Sequence, residues 1–117
     1  MAEVKQEYKF GGKIFILRKS SPNAVEEFMD KYNELSELEK LIDDQKSAFQ
    51  PERIAELDEK IKGRKKFHVL ADISKWLCVP KDGQAVELDW YEDTETAELW
   101  RPVIDFLQLQ MPTMRKQ

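Results

Sequence analysis

The sequence predicts an α+β domain, with an N-terminal β-hairpin packed on a small helical body that includes a long amphipathic helical hairpin. Three observations carry this prediction. Gly11-Gly12 separates two short segments rich in aromatic and β-branched residues. An apolar stripe at helical spacing runs from Val25 to Ile42, and a second begins after Pro51 and reaches about residue 78. A chain of 117 residues has the usual size of one domain, so residues 1–117 are expected to form one folding unit. Its parts would be a hairpin (1–19), a helical hairpin (21–78), a loop with a short extended segment and a last helix (79–109), and a frayed tail (110–117).

The hairpin is the sharpest local signal. Two glycines allow the positive φ angles that a two-residue turn requires. That turn would pair Phe10 with Lys13, Tyr8 with Phe15 and Gln6 with Leu17. Strand side chains alternate, so Tyr8, Phe10, Phe15 and Leu17 share one face, while Ile14 and Ile16 join Lys5, Glu7 and Lys9 on the other. A two-stranded hairpin alone is marginal in water, so the aromatic face must rest on the helices. Ile14 and Ile16 have two readings: another element of the chain covers them, or they form an apolar patch for a partner.

Ser21-Pro22 is a helix start, with Ser as cap and Pro in the first turn; Asn23 with Glu26 offers a second cap. Val25, Phe28, Tyr32, Leu35 and Ile42 fall on heptad-like positions, Glu39 interrupts the seam, and Met29 and Leu38 widen it. Asp30, Glu37 and Asp44 recur every seven residues on the far side, with Glu27 and Glu34 beside them, which makes an acidic outer face. Gln50-Pro51 ends this helix and starts the next, carried by Ile54, Leu57 and Ile61. Gly63 either terminates that helix or is a weak point in a longer one. Phe67, Leu70, Ile73, Trp76 and Leu77 continue the helical spacing until Val79-Pro80 stops it.

Lys81-Asp82-Gly83-Gln84 reads as a turn. Val86, Leu88 and Trp90 then alternate with Glu87 and Asp89, as in a short extended segment. Asp93 or Thr94 can cap a last helix through Ala97, Trp100, Val103 and Leu107, which Pro102 must either kink or restart.

Composition narrows the function. Charged residues make up 36% of the chain, well above the usual quarter, and they fall in blocks. Residues 22–48 hold eight acids against three bases, and residues 85–101 hold six acids against one base. Such blocks suit docking against proteins, whereas a nucleic-acid binder normally carries one coherent basic face. Arg64-Lys65-Lys66 is a local basic run, better explained as a solvated segment able to pair with the acidic stripe of the preceding helix. No apolar run approaches the length of a membrane span. Cys78 has no cysteine partner in the sequence, and a free thiol fits a reducing, cytoplasmic compartment.

The chain offers little to catalysis. His68, the sole histidine, would stand about 15 Å of helical rise from Cys78 and on another face, too far for a nucleophile–base pair. Cys78 beside Trp76, Leu77 and Val79 reads as a small buried hydrophobe. Asp43-Asp44 and Glu92-Asp93 are adjacent pairs that point apart on a helix. No spacing matches a metal or phosphate site. The expectation is a non-enzymatic protein with no cofactor and no metal. Core packing is the first explanation for Trp76, Trp90 and Trp100; Trp90 with Tyr91, beside the acidic loop, is the choice for a partner-facing pair. The candidate partner-binding residues are therefore Ile14, Ile16, Leu41, Trp90 and Tyr91.

The opening Tyr8-Lys9-Phe10-Gly11-Gly12-Lys13-Ile14-Phe15-Ile16-Leu17-Arg18, followed by the Ser-Pro helix start, resembles bacteriophage tail assembly chaperones. Their N-termini read aromatic-Gly-Lys-x-aromatic-x-Leu-Arg, and the stretch from Asp82-Gly83 to Leu107 is similar to their acidic loop and final helix. The resemblance covers most of the chain in outline. It implies a cytoplasmic factor that binds an apolar tape-measure protein, keeps it soluble and helps the tail tube polymerise, with no cofactor. The alternative is an acidic inhibitory binder, such as a phage anti-defence protein. Its Asp30, Glu34, Glu37 and Asp44 face would block a basic, nucleic-acid-binding target. Either role makes the partner another protein, with self-association a further option and neither nucleic acid nor membrane expected.

Overall fold

Gly11 and Gly12, at φ +57° and +78°, turn the chain back between β1 (Glu7–Phe10) and β2 (Lys13–Leu17). The structure is a computed structural model that describes residues 6–110. Tyr8 pairs with Phe15 and Phe10 with Lys13, the register that a two-residue turn imposes. Tyr8, Phe10 and Phe15 are buried and Leu17 packs against the same core, so the aromatic face does rest on the helices. Gly11 serves for a second reason: a Cβ there would stand 2.7 Å from the Leu88 Cδ1 that closes over the turn.

The first two helices open where the sequence marks them. α1 (Pro22–Ser47) opens on Ser21, whose Oγ accepts the Ala24 N–H at 3.2 Å. α2 (Pro51–Ile61) opens on Pro51 and ends on two left-handed residues, Lys62 at φ +52° and Gly63 at φ +70°. Gly63 is therefore a terminator, and a separate helix follows it. α3 (Lys66–Leu77) passes directly into a third strand, β3 (Cys78–Pro80).

β3 pairs antiparallel with β2, Leu17 against Cys78 and Phe15 against Pro80, giving the sheet order β1-β2-β3. The extended segment expected at 86–90 forms no ladder. Its alternation survives as burial alone, with Val86 and Leu88 half-buried and Trp90 inside. Pro80 sits on an edge strand, where a missing N–H is tolerated. The turn at 81–84 forms as read: Gly83 N–H donates to the Pro80 carbonyl, and the Asp82 carboxylate accepts from Gln84 N–H.

α4 (Thr96–Leu109) runs through Pro102 without a break. Neither Asp93 nor Thr94 caps it: Glu95 is the N-cap residue, and Thr94 Oγ1 donates back to the Trp90 carbonyl instead. The buried side of α4 is Leu99, Pro102, Val103 and Phe106, with Trp100 and Leu107 on its margin. The expected stripe of Ala97, Trp100, Val103 and Leu107 is thus displaced around the helix. The frayed tail expected at 110–117 lies outside the described residues, apart from Gln110.

Phe28, Leu35, Leu70, Ile73, Leu77, Trp90 and Phe106 belong to one core between the helices and the sheet. Leu38, Leu57 and Ile61 are buried apart from it, on the α1/α2 pair. α2 packs chiefly on α1, while α3 packs on both α1 and α4. The last third of α1 and all of α2 therefore form an arm, and the molecule is elongated, 57 × 38 × 23 Å.

Candidate protein-interaction surface

The arm carries the most exposed apolar side chain described. Phe49, in the connector between α1 and α2, is 94% exposed, and Ile54 in the first turn of α2 is 38% exposed. Pro51 fixes the turn here, and Gln45 Nε2 donates to the Ile54 carbonyl across it. A phenylalanine left in water at a pinned turn forgoes about 1.5–3 kcal/mol that burial would return. The periodicity that finds core residues passes over Phe49, because it lies on no helical stripe. Its one sequence signal is an aromatic residue in a connector where polar turn residues are usual.

The outer sheet face is a second surface. Ile14 is 45% exposed and Ile16 is half-buried, bordered by Val79 of β3. Of the two readings, neither holds outright: Val79 of β3 borders Ile16, and among the described residues no element lies over Ile14 closely enough to bury it. The Lys81 ammonium, in the turn after β3, meets the Glu7 carboxylate of β1 at 2.6 Å, spanning β2. Leu41 is half-buried on α1.

Trp90 is not a surface residue. It is 7% exposed, its ring 5.1 Å from Phe10 and 5.5 Å from Phe15, so core packing accounts for it. Tyr91 is half exposed but tied down. Its hydroxyl donates to Asp72 Oδ1 at 2.5 Å, and its ring stacks on His68 at 4.3 Å. The Asp72 hydrogen bond, with some help from burial, raises the Tyr91 pKa. The Asp89 carboxylate accepts the N–H groups of Tyr91 and Glu92 and fixes the local turn, while the Tyr91 contacts with Asp72 and His68 tie the segment to α3. His68 and Cys78 lie at opposite ends of α3, the first exposed and the second buried.

The charged runs divide. Arg64 caps α2, its guanidinium donating to the Ile61 and Lys60 carbonyls. Lys66 pairs with Glu39 at 2.8 Å, which explains the acid in the apolar seam of α1. Asp30, Glu34 and Glu37 are exposed and Asp44 is half-buried; among the described residues these four make no ion pair within 4 Å.

Beneath β1, the Tyr8 hydroxyl donates to Asp105 Oδ2 at 2.6 Å, and the Arg101 guanidinium lies 5.9 Å from the Tyr8 ring centre. Burial, and then the Asp105 hydrogen bond, hold the Tyr8 pKa far above its usual range. Gln6, Leu17, Asp105, Gln108 and Leu109 line an adjoining hollow of about 110 Å³. Burial also pushes the Cys78 thiol up to about 12. Folding keeps both groups protonated, so their contribution to stability is intact below their unfolded pKa values. It declines as pH rises through about 9 for the thiol and about 10 for the phenol. The urea midpoint is expected to fall progressively above pH 9, and in Cys78→Ala the onset should move toward pH 10; an alkaline limb unchanged by that substitution would contradict the assignment.

Among the described residues no three His, Cys, Asp or Glu side chains are grouped to hold a metal, and no helix is long and apolar enough to cross a membrane. Comparison of the chain with family models, curated proteins and solved structures finds no match.

Proposed function

We propose that this chain is a non-enzymatic, protein-binding assembly factor of the tail-assembly-chaperone kind, which holds an apolar helical client at the end of the α1/α2 arm. The observation that carries the proposal is Phe49, 94% exposed at a pinned turn with Ile54 on the following helix turn. An aromatic side chain held out at a helix–helix turn offers its apolar area to a groove between client helices. The acidic outer face of α1 would keep the complex in solution. The buried free thiol of Cys78 fits action in a reducing host cytoplasm.

The unpaired acids on α1 favour a second reading, an inhibitor that docks on a basic target through Asp30, Glu34, Glu37 and Asp44. A light-scattering assay separates the two. A helix-rich tape-measure fragment is diluted from denaturant with wild-type protein, Phe49→Ser, or Glu34→Gln/Glu37→Gln. The chaperone reading expects wild type to suppress aggregation in both low and high salt, with Phe49→Ser weakened about tenfold or more and its urea midpoint unchanged. Full protection by Phe49→Ser, or protection lost with salt and with the acidic substitutions, would reject the arm as the client site.

A further inference from the structure

We infer that the free edge of β1, with the bordering stripe of α4, is the contact surface for a second copy of this chain across a two-fold axis. Among the described residues nothing pairs with the outer side of β1, which is an edge strand of the sheet. Antiparallel pairing alternates the direction of backbone groups, and the Leu17 N–H donates to the Gln6 carbonyl at 3.4 Å. Gln6, Tyr8 and Phe10 therefore face β2, and Glu7 and Lys9 turn their N–H and C=O groups to the open edge. Both of their side chains are exposed, and the Glu7 carboxylate, which holds Lys81 at 2.6 Å within the chain, has acceptor capacity left for a second ammonium.

That edge is complementary to itself in one register. Two β1 strands running antiparallel about Tyr8 set Glu7 opposite Lys9 of the second copy, and Lys9 opposite its Glu7. Both are hydrogen-bonded pairs, so the backbone groups that point outward are the ones that meet, and each pair also opposes unlike charges. Sliding the strands by two residues either way would centre the pairing on Glu7 against Glu7 or on Lys9 against Lys9, and like charges directly opposite destabilise it. A charged edge usually guards against indiscriminate strand pairing. Here the Glu-x-Lys order admits a second copy and penalises its misregistered forms.

α4 broadens the surface. The Arg101 guanidinium over the Tyr8 ring, and the Tyr8–Asp105 hydrogen bond, place α4 beneath β1. Arg101, Ile104 and Gln108 recur on one side of this helix and are all exposed, Ile104 at 47%. A two-fold axis through the β1 edge would bring the two stripes toward each other under one continuous six-stranded sheet, covering Ile104. The contact uses neither Phe49 nor the acidic face, so it stands apart from the client reading.

A charge-swap series on the full chain, followed by sedimentation equilibrium, tests it. Wild type is expected as a dimer of the 13.8 kDa chain. Lys9→Glu sets acid against acid in both symmetric pairs and should weaken dimerisation by about tenfold or more. The triple variant Glu7→Lys/Lys9→Glu/Lys81→Glu restores unlike pairs across the axis and keeps the pair between positions 7 and 81 within each copy, so it should restore the dimer, although Lys9→Glu alone weakens it. Circular dichroism melts identify any variant that has lost its fold, and Ile104→Ser then replaces it as an independent interface change. A wild-type monomer at millimolar concentration overturns the inference. So does a dimer that Lys9→Glu leaves intact, or one that the triple swap fails to recover while folded.

Discussion

Trp90→Ala is expected to lower folding stability by about 3–5 kcal/mol, measured as the shift in urea-denaturation free energy. The indole lies against Phe10 and Phe15 with 7% of its surface exposed, so its removal strips the inner face of the sheet of its main cover. The neighbouring segment cannot collapse into the space freely. Tyr91 is fastened to Asp72, and Thr94 donates to the Trp90 carbonyl itself. A cavity that its walls cannot fill is the costly kind. A loss below about 1 kcal/mol would mean that Trp90 is peripheral to the core.

The second large effect belongs to Phe28. It is fully buried, 4.7 Å from the Phe106 ring and stacked on Tyr32 at 5.7 Å. It joins the body half of α1 to α4, with two helices between them in the chain. Phe28→Ala should cost about 3–5 kcal/mol, and Phe28→Leu about 1.5 kcal/mol or less, because most of the volume is kept. Domains of this size have about 5–15 kcal/mol in total, so the alanine variant should sit close to its unfolding midpoint in a thermal melt. Equal losses for both substitutions would point to the aromatic contact with Phe106, rather than filled volume, as the source of stability.

What the sequence made legible is what is local. Gly11-Gly12 dictates the hairpin register, Ser21-Pro22 and Gln50-Pro51 open two helices, and Gly63 closes one, because each acts through φ angles and hydrogen bonds within a few residues. β3 escaped the reading because Cys78-Val79-Pro80 has no pattern of its own and ends in proline. Its strand character comes from a partner far along the chain. Alternation at Val86, Leu88 and Trp90 reports burial on one side, which a ladder and a clamped loop share. The site was harder still. Tyr91 and Trp90 are neighbours with opposite fates, and Phe49 is prominent only because nothing folds over it, which no spacing rule records. Ile104 was missed because it lies on the face opposite the core-facing side of α4.

The position of β3 also bears on how the molecule assembles. The β1–β2 turn closes over two residues, and such hairpins form on their own in microseconds. The third strand has no such shortcut. Beside it, the Arg18 side chain donates to the Trp76 carbonyl 58 residues away, a contact that exists only after α1, α2 and α3 have brought the chain back. Loop-closure entropy must be met before that seam returns any energy, and the hairpin is marginal until it does. The finished sheet is therefore expected to form late, once the helices have packed.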